Sequence, residues 1–217
     1  MKKTITLNQV RCGEHFMLGG VEFVKLDDDK GASFVVAADI TGKECPFESS
    51  NAKRDDHNNF VGSHIQKVVE AFLLDHPEIN KAVVDRPIDL TSMDGMTDYG
   101  CPVVHGRILT SDEYRKYRAF IPLASDWYWL ATPWTTLRSP VSSAGFAYFV
   151  SADGALDGYG GVYRADDRCP RPALYLESSI SVSVETDDEK SLRDYTDTEL
   201  LDELLRRRTV KEGTLNV

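Results

Sequence analysis

The residues best suited to chemistry in this sequence are its histidines and cysteines, and their spacing matches no familiar catalytic or metal site. Cys101 and His105 are four residues apart, a spacing that could pair a thiol with an imidazole base. Pro102 lies between them and predicts a loop, so the pattern does not favour a catalytic pair. Phosphate-binding loops, nucleophile elbows and zinc-protease motifs are not found either. The sequence therefore predicts a non-enzymatic protein with no metal and no cofactor.

Aspartates in a glycine-rich stretch are the remaining candidates for metal binding. Asp153, Asp157, Asp166 and Asp167 could offer calcium the oxygen ligands that it prefers. Aspartate is also a common turn residue, because its side chain accepts hydrogen bonds from nearby backbone amides. We interpret these residues, and the "DDDKG" cluster at positions 27–31, as hydrated turns.

The cysteines do not suggest a zinc ribbon or a redox motif, since no two of them form a C-x-x-C pair. They are Cys12, Cys45, Cys101 and Cys169. No secretory segment follows the start "MKKTITLNQV", so we expect the mature protein to begin at Met1 and its thiols to be reduced.

The composition indicates an acidic globular protein. The chain has 217 residues, of which 41% are hydrophobic, and a net charge of −10. Such a charge opposes attraction to phosphate backbones, so we expect no nucleic-acid partner. No apolar run approaches the roughly 18 residues needed to cross a bilayer, so we expect no membrane partner.

Hydrophobic patterning predicts an α+β domain. Three short strands, "EHFML", "VEFVKL" and "SFVVAADI", are followed by a long loop over residues 41–62 that covers part of the core. Capping-box pairs then predict two helices, one beginning at Ser63 with Gln66 and one at Thr110 with Glu113, and Pro77 is expected to end the first helix. Strands return from Trp127 onward, with a hairpin turn at Asp153-Gly154.

The composition changes after about Glu185, which predicts a domain over residues 1–185 and a tail over residues 186–217. The tail combines a polar linker with a short amphipathic helix. Its apolar stripe consists of Leu200, Leu201, Leu204 and Leu205. A helix of about 12 residues is marginal alone, so we expect this face to bind a partner protein or a second copy of the chain.

Three motifs in the second half of the chain resemble a known family. "WYWLATP", "AYFVSADGALDGY" and "CPRPALYL" resemble the W-W-L-R-S-P, hairpin and G-V-R-P-A-L pattern of a domain family of unknown function found in bacteria and their phages. "ILTSDEYRKY" is similar to a helix start of that family. The resemblance implies a C-type-lectin-like fold with short antiparallel sheets, two helices and long loops, and it implies that Arg171 braces loop carbonyls or a carboxylate.

The stretch "DWYWLATPWTTLRSP" contains all three tryptophans. We expect Trp127 and Trp129 to share one core with Leu130 and Leu174, because large aromatic side chains dominate small cores. Trp134 follows a proline in a loop, so packing and a binding role are both open for it.

The turn-rich stretch from Ser142 to Asp167 is composed of small and amphipathic residues that suit recognition surfaces. The predicted ligand-binding residues are Trp134, Asp157, Tyr159, Tyr163 and Arg164.

The favoured hypothesis is a non-catalytic binding module of phage or prophage type, located in the host cytoplasm or on the virion. One alternative is a phage-encoded inhibitor of a host defence protein. Another is an oxidoreductase related to formylglycine-generating enzymes. That chemistry needs a close cysteine pair near the end of the domain, where only Cys169 lies.

Truncation after Glu185 tests the tail. We expect the shortened chain to stay folded and to lose self-association or partner binding, because the four leucines would no longer be available for burial. Size-exclusion chromatography with light scattering, together with circular dichroism, checks this. An unfolded product, or an unchanged association state with unchanged binding, would contradict it.

Overall fold

A computed structural model describes residues 2–141, 144–164 and 168–185 of the chain. Within these ranges the helices are α1 (His64–Asp75), α2 (Pro77–Ala82) and α3 (Ser111–Tyr117). The strands are β1 (Lys2–Thr6), β2 (His15–Leu18), β3 (Val21–Asp29), β4 (Ala32–Ala37), β5 (Arg86–Pro87), β6 (Val103–Val104), β7 (Tyr128–Pro133), β8 (Phe146–Val150), β9 (Leu156–Gly161), β10 (Ala173–Glu177) and β11 (Ser181–Glu185). Residues Thr4–Val184 form one compact unit.

The larger sheet has six strands in the order β1-β11-β2-β3-β4-β10. Its hairpin between β3 and β4 turns at Lys30 and Gly31, both of which have positive φ angles of 47° and 83°. Such angles suit the two-residue turns that match the twist of antiparallel strands. The predicted turn over residues 27–31 was too long, because Asp27 to Asp29 still pair with β4.

A second antiparallel sheet, which we call the small sheet, has the order β7-β8-β9, and β5 and β6 pair as a separate two-stranded sheet. The Asp153-Gly154 hairpin is confirmed, and it lies between β8 and β9 with Gly154 at a φ of 83°. The fold is therefore α+β with antiparallel sheets, as the patterning predicts.

The helices begin at the expected caps. Thr110 and Glu113 form a complete capping box on α3, whereas the Ser63 hydroxyl accepts from the Gln66 amide and the Gln66 side chain turns to the amide of Gly62. Pro77 was expected only to end α1, but it also begins α2. A proline suits the first helical position because its missing N–H needs no partner there.

Buried side chains fall into three clusters rather than one. Leu130 belongs to the cluster between β4, α3 and β7; Trp129 packs with the long loop and α1; Leu174 packs with β2, β3 and α1. The predicted single core of Trp127, Trp129, Leu130 and Leu174 is therefore wrong. Trp127 precedes β7 and remains 37% exposed, so it is not a core residue.

The long loop over residues 41–62 covers part of the core as expected. It has no helix or strand, yet Phe47 and Phe60 are fully buried beside Trp129.

All four cysteines are free thiols. The tail with Leu200, Leu201, Leu204 and Leu205 lies outside the described residues. Among those that are described, no helix is long and apolar enough to span a bilayer.

Arg171 braces the junction between the sheets. Its side chain is 1% exposed and donates to the carbonyl oxygens of Ala37 (2.9 Å), Ala38 (2.7 Å) and Pro122 (3.1 Å). The guanidinium also lies 4.7 Å from the ring centroid of Tyr128 on β7. The expected brace to loop carbonyls is confirmed.

We expect replacement of Arg171 by lysine to lower the free energy of unfolding by about 3 kcal/mol, because a single ammonium group cannot reach all three carbonyls and leaves buried acceptors unpaired. Urea unfolding followed by fluorescence measures the change. Arg11→Lys is the matched control. Because Arg11 is exposed, this substitution should change the free energy of unfolding by no more than about 0.5 kcal/mol. Equal effects of the two substitutions would contradict the role assigned to Arg171.

Candidate functional site

The loop that follows β7 is held by a buried asparagine from the long loop. The side-chain amide of Asn58, which is fully buried, donates to the carbonyl oxygens of Thr135 and Phe146, both at 2.8 Å. Its own oxygen accepts a hydrogen bond from the Tyr99 hydroxyl at 2.9 Å. A buried amide with its donors and acceptor satisfied stabilises one arrangement of the strands that it joins.

The rest of this loop is also fixed. The Thr136 hydroxyl donates to Asp98 at 2.7 Å, and the Thr136 amide donates to the Ser139 hydroxyl at 2.9 Å. Hydrogen bonds from the hydroxyls of Ser139 and Ser92 lower the pKa of Asp94, so this carboxylate is charged at neutral pH. The loop therefore presents its side chains from a pre-organised backbone.

Four aromatic side chains meet on the small sheet and form what we call the aromatic patch: Trp134, Phe146, Tyr148 and Tyr159. Trp134 stacks on Tyr148 with ring centroids 5.8 Å apart and meets Tyr159 edge-on at 5.8 Å. Phe146 lies 4.3 Å from Tyr159. Tyr159 is 65% exposed, whereas Tyr148 is buried beneath the others. Burial raises the pKa of Tyr148, so its phenol stays neutral.

A β-bulge in β9 makes room for the patch. Ala147 pairs with Gly160 and Phe149 pairs with Asp157, so Gly158 and Tyr159 both lie opposite Tyr148. A Cβ on Gly158 would lie 2.4 Å from ring atoms of Trp134 and 2.7 Å from Tyr148. Only glycine lets the indole lie flat against the strand at this point.

A cleft of about 440 Å³ opens beside the β8–β9 hairpin. Trp127 and Phe149 form an aromatic wall, with ring centroids 5.3 Å apart and planes 13° from parallel. Asp153 and Asp157 also line the cleft. The Tyr114 hydroxyl donates to the carbonyl of Gly154 at 2.7 Å, which holds the hairpin turn against α3.

The aromatic wall packs on a buried arginine. Arg168 is 2% exposed, and its guanidinium carbon lies 3.9 Å from the ring centroid of Phe149, 4.8 Å from that of Trp129 and 5.6 Å from that of Trp127. Cation–π contacts of this kind orient the rings. The wall is therefore supported from within the protein.

The structure brings together three of the five predicted ligand-binding residues. Trp134 and Tyr159 are in the patch, and Asp157, which lines the cleft on the other face of the sheet, is linked to them because its carboxylate accepts from the Tyr159 amide at 2.8 Å. Tyr163 instead contacts His57, with ring centroids 5.3 Å apart. The Arg164 side chain runs past Gly161, 3.8 Å from its Cβ position. The roles of Tyr163 and Arg164 remain predictions.

Sequence reasoning missed several residues of this surface. The stretch "GFAYFV" contains Phe146, Tyr148 and Phe149, and the alternation of side chains along a strand could have assigned the first two to one face and Phe149 to the other. No sequence pattern indicated that Trp127 would be exposed. None indicated the contact of Asn58 with Thr135 either, because the two residues are 77 positions apart along the chain.

Cys101 and His105 are not brought together as a pair. Both ring nitrogens of His105 are within hydrogen-bonding distance of other side chains, namely Asp85 at 2.6 Å and Asn80 at 2.7 Å. A hydrogen bond from Cys101 instead contributes to the lowered pKa of Asp89. Over the described ranges, no group of three or more His, Cys, Asp or Glu side chains could hold a metal ion.

Cys169 has a thiol neighbour that its sequence position did not indicate. The Cys45 amide donates to the carbonyl of Arg168 at 2.8 Å, and the Trp129 indole donates to the carbonyl of Cys45 at 2.8 Å. Cys169 is still the cysteine near the end of the domain in the sequence, but electrostatic interaction with its thiol contributes to the raised pKa of Cys45, which places the two side chains near each other in space. Burial raises the pKa of Cys45 to about 12 and that of Cys169 to about 11, so both thiols are protonated at neutral pH.

Comparison of the chain with protein-family models, with curated proteins and with solved structures finds no match. A function is therefore inferred from the contacts of the site itself.

We expect Gly158→Ala to lower the free energy of unfolding by about 1–3 kcal/mol and to change the near-ultraviolet circular dichroism, because the new methyl group must displace Trp134 or the strand. Gly161→Ala is the matched control on the same strand. Its Cβ would meet its nearest neighbour only at 3.8 Å. If Gly158→Ala were as mild as Gly161→Ala, the assigned packing of Trp134 would be wrong.

Proposed function

We propose that this chain is a non-catalytic binding module whose aromatic patch recognises an exposed segment of a partner protein. The observation that carries the proposal is the grouping of Tyr159, 65% exposed, with Trp134 and partly buried Phe146 on a strand and loop that are fixed from below. Single exposed aromatic residues are ordinary, whereas grouped ones are typical of interaction sites.

Rigid aromatic side chains are effective recognition groups because they bury a large area at a small cost in conformational entropy. The hydrogen bonds of Asn58 and Thr136 keep the neighbouring backbone in one arrangement before a partner arrives. Less of the binding free energy is then spent on ordering the loop.

The oxidoreductase alternative has weaker support. Its chemistry would need reactive thiolates, and the burial that raises the pKa values of Cys45 and Cys169 favours the unreactive protonated forms. The contacts of the small sheet favour recognition over catalysis.

We also propose that the fold is C-type-lectin-like and of the phage or prophage type. This part of the proposal is supported by the resemblance of the three motifs, which correspond to β7, to the β8–β9 hairpin and to β10. Partner binding or self-association through Leu200, Leu201, Leu204 and Leu205 remains part of the same proposal.

Selection of a random-peptide display library on the immobilised full chain tests the patch. We expect enriched peptides to bind Tyr159→Ser at least about tenfold more weakly than the wild type, since exposed aromatic anchors dominate such interfaces. Leu74→Ser is the control, because Leu74 is 74% exposed on α1. The proposal fails if no peptide is enriched, or if the enriched peptides bind both variants as well as the wild type.

A further inference from the structure

The cleft at the β8–β9 hairpin, on the other face of the small sheet from the aromatic patch, has its own chemistry. Its lining combines the exposed aromatic ring of Trp127 and the edge of the wall at Phe149 with two carboxylates, Asp153 and Asp157. Its volume of about 440 Å³ lies within the range of sites for small ligands, roughly 300–1,000 Å³. The end of a long side chain fits such a space with room to spare.

The charged residues among the described lining are both carboxylates. The hydroxyl of Ser151 and the amide of Ala155 donate to Asp153, which lowers the pKa of this carboxyl and keeps it ionised at neutral pH. Asp157 is exposed, as is the outer part of Trp127. A positive group that entered the cleft would find negative charge on one side and an aromatic ring on the other.

Arg168 is the cation closest to this wall among the described contacts, and it does not line the cleft. It lies 2% exposed against Phe149, Trp129 and Trp127. Its charge opposes part of the attraction of the two carboxylates for a cation. Arg118 also lies against the hairpin, with one guanidinium nitrogen 2.4 Å from the Cβ position of Gly154, but it does not line the cleft either. The charges that line the cleft itself are therefore negative, with the two guanidinium groups outside the lining.

The carboxylates also keep acceptor capacity. Among the described residues, the hydrogen bonds of Asp153 and Asp157 all use one oxygen of each group, Oδ1. An ionised carboxylate has a second oxygen with lone pairs of its own. Both groups can therefore accept further bonds from a donor in the cleft.

Arginine matches this combination better than any other side chain. Its guanidinium is planar, stacks on aromatic faces and donates in a fork that suits carboxylates, whereas the lysine ammonium is compact and strongly hydrated. Tryptophan is the best aromatic partner for a cation.

We propose that the cleft receives an arginine side chain of the partner segment that the aromatic patch recognises. The proposal rests on the proposed function, and β9 links the two surfaces: it is the edge strand of the small sheet, and its Asp157, on the face of the cleft, accepts from the backbone amide of Tyr159, whose side chain lies on the other face in the patch. A partner segment that crosses this edge, with an apolar or aromatic residue for the patch and an arginine for the cleft, would occupy both.

Titration with N-acetyl-arginine amide, followed by heteronuclear NMR, tests the cleft directly. We expect shifts of the Trp127 indole N–H and of the backbone amides from Ser151 to Asp157. The neutral isostere N-acetyl-citrulline amide should bind at least about threefold more weakly, because it lacks the charge that attracts the ring and the carboxylates. Methyl glucoside tests a sugar in the same cleft.

Asp157→Asn should weaken arginine binding about threefold to tenfold while keeping the oxygen that accepts from Tyr159. Asp75→Asn is the charge-matched control at the end of α1 and should leave binding unchanged. If citrulline or methyl glucoside binds as tightly as arginine, or if the shifts map elsewhere, the assignment of the cleft is wrong.

Display-selected peptides separate this inference from the proposed function. If they depend on Tyr159 but tolerate replacement of each arginine by citrulline, the arginine inference alone fails. If N-acetyl-arginine amide binds in the cleft but no selected peptide depends on Tyr159, the proposed function fails while the arginine-binding chemistry of the cleft stands.

Discussion

The buried guanidinium of Arg171 is the interaction on which the rest of this structure depends. It ties the end of β4, through the carbonyls of Ala37 and Ala38, to the segment after α3, through that of Pro122. It also packs on Tyr128 of the small sheet. Burial of a cation is costly, and its Nε and Nη2 groups recover hydrogen bonds from these three carbonyls whereas Nη1 has no hydrogen-bond partner among the described residues, so the carbonyls must stay where the guanidinium finds them. One side chain thereby positions the small sheet relative to the large one.

With the small sheet in place, its outer surface is shaped by residues from distant parts of the chain. Asn58 holds the loop after β7 and the start of β8 together, and Gly158 lets Trp134 lie against β9. These contacts determine which aromatic side chains reach solvent. Trp129 is fully buried, whereas Trp127, two positions earlier, remains exposed and forms the wall of the cleft.

Charge is arranged differently inside and outside this sheet. Arginines, Arg168 and Arg171, are buried against aromatic rings, and carboxylates, Asp153 and Asp157, line the surface of the hairpin. The guanidinium suits the interior because it is weakly hydrated and can stack while it donates. The result is an aromatic wall whose rings pack on the Arg168 guanidinium inside the protein and are bordered by carboxylates at the surface.

Local sequence patterns determined the elements of this protein. The caps at Ser63 and Thr110, the turn at Asp153-Gly154 and the strands around them follow from short-range hydrogen bonding and from side-chain alternation, and the structure confirms them. The candidate site was predictable only in part: Trp134, Asp157 and Tyr159 could be named because loop and turn chemistry is local. Tertiary structure alone decided that Trp127 is exposed, that Asn58 anchors a loop 77 residues away, and that Cys45 lies beside Cys169. The physical reason is that burial and long-range hydrogen bonds depend on which segments meet in space, and a one-dimensional pattern carries no information on such distances.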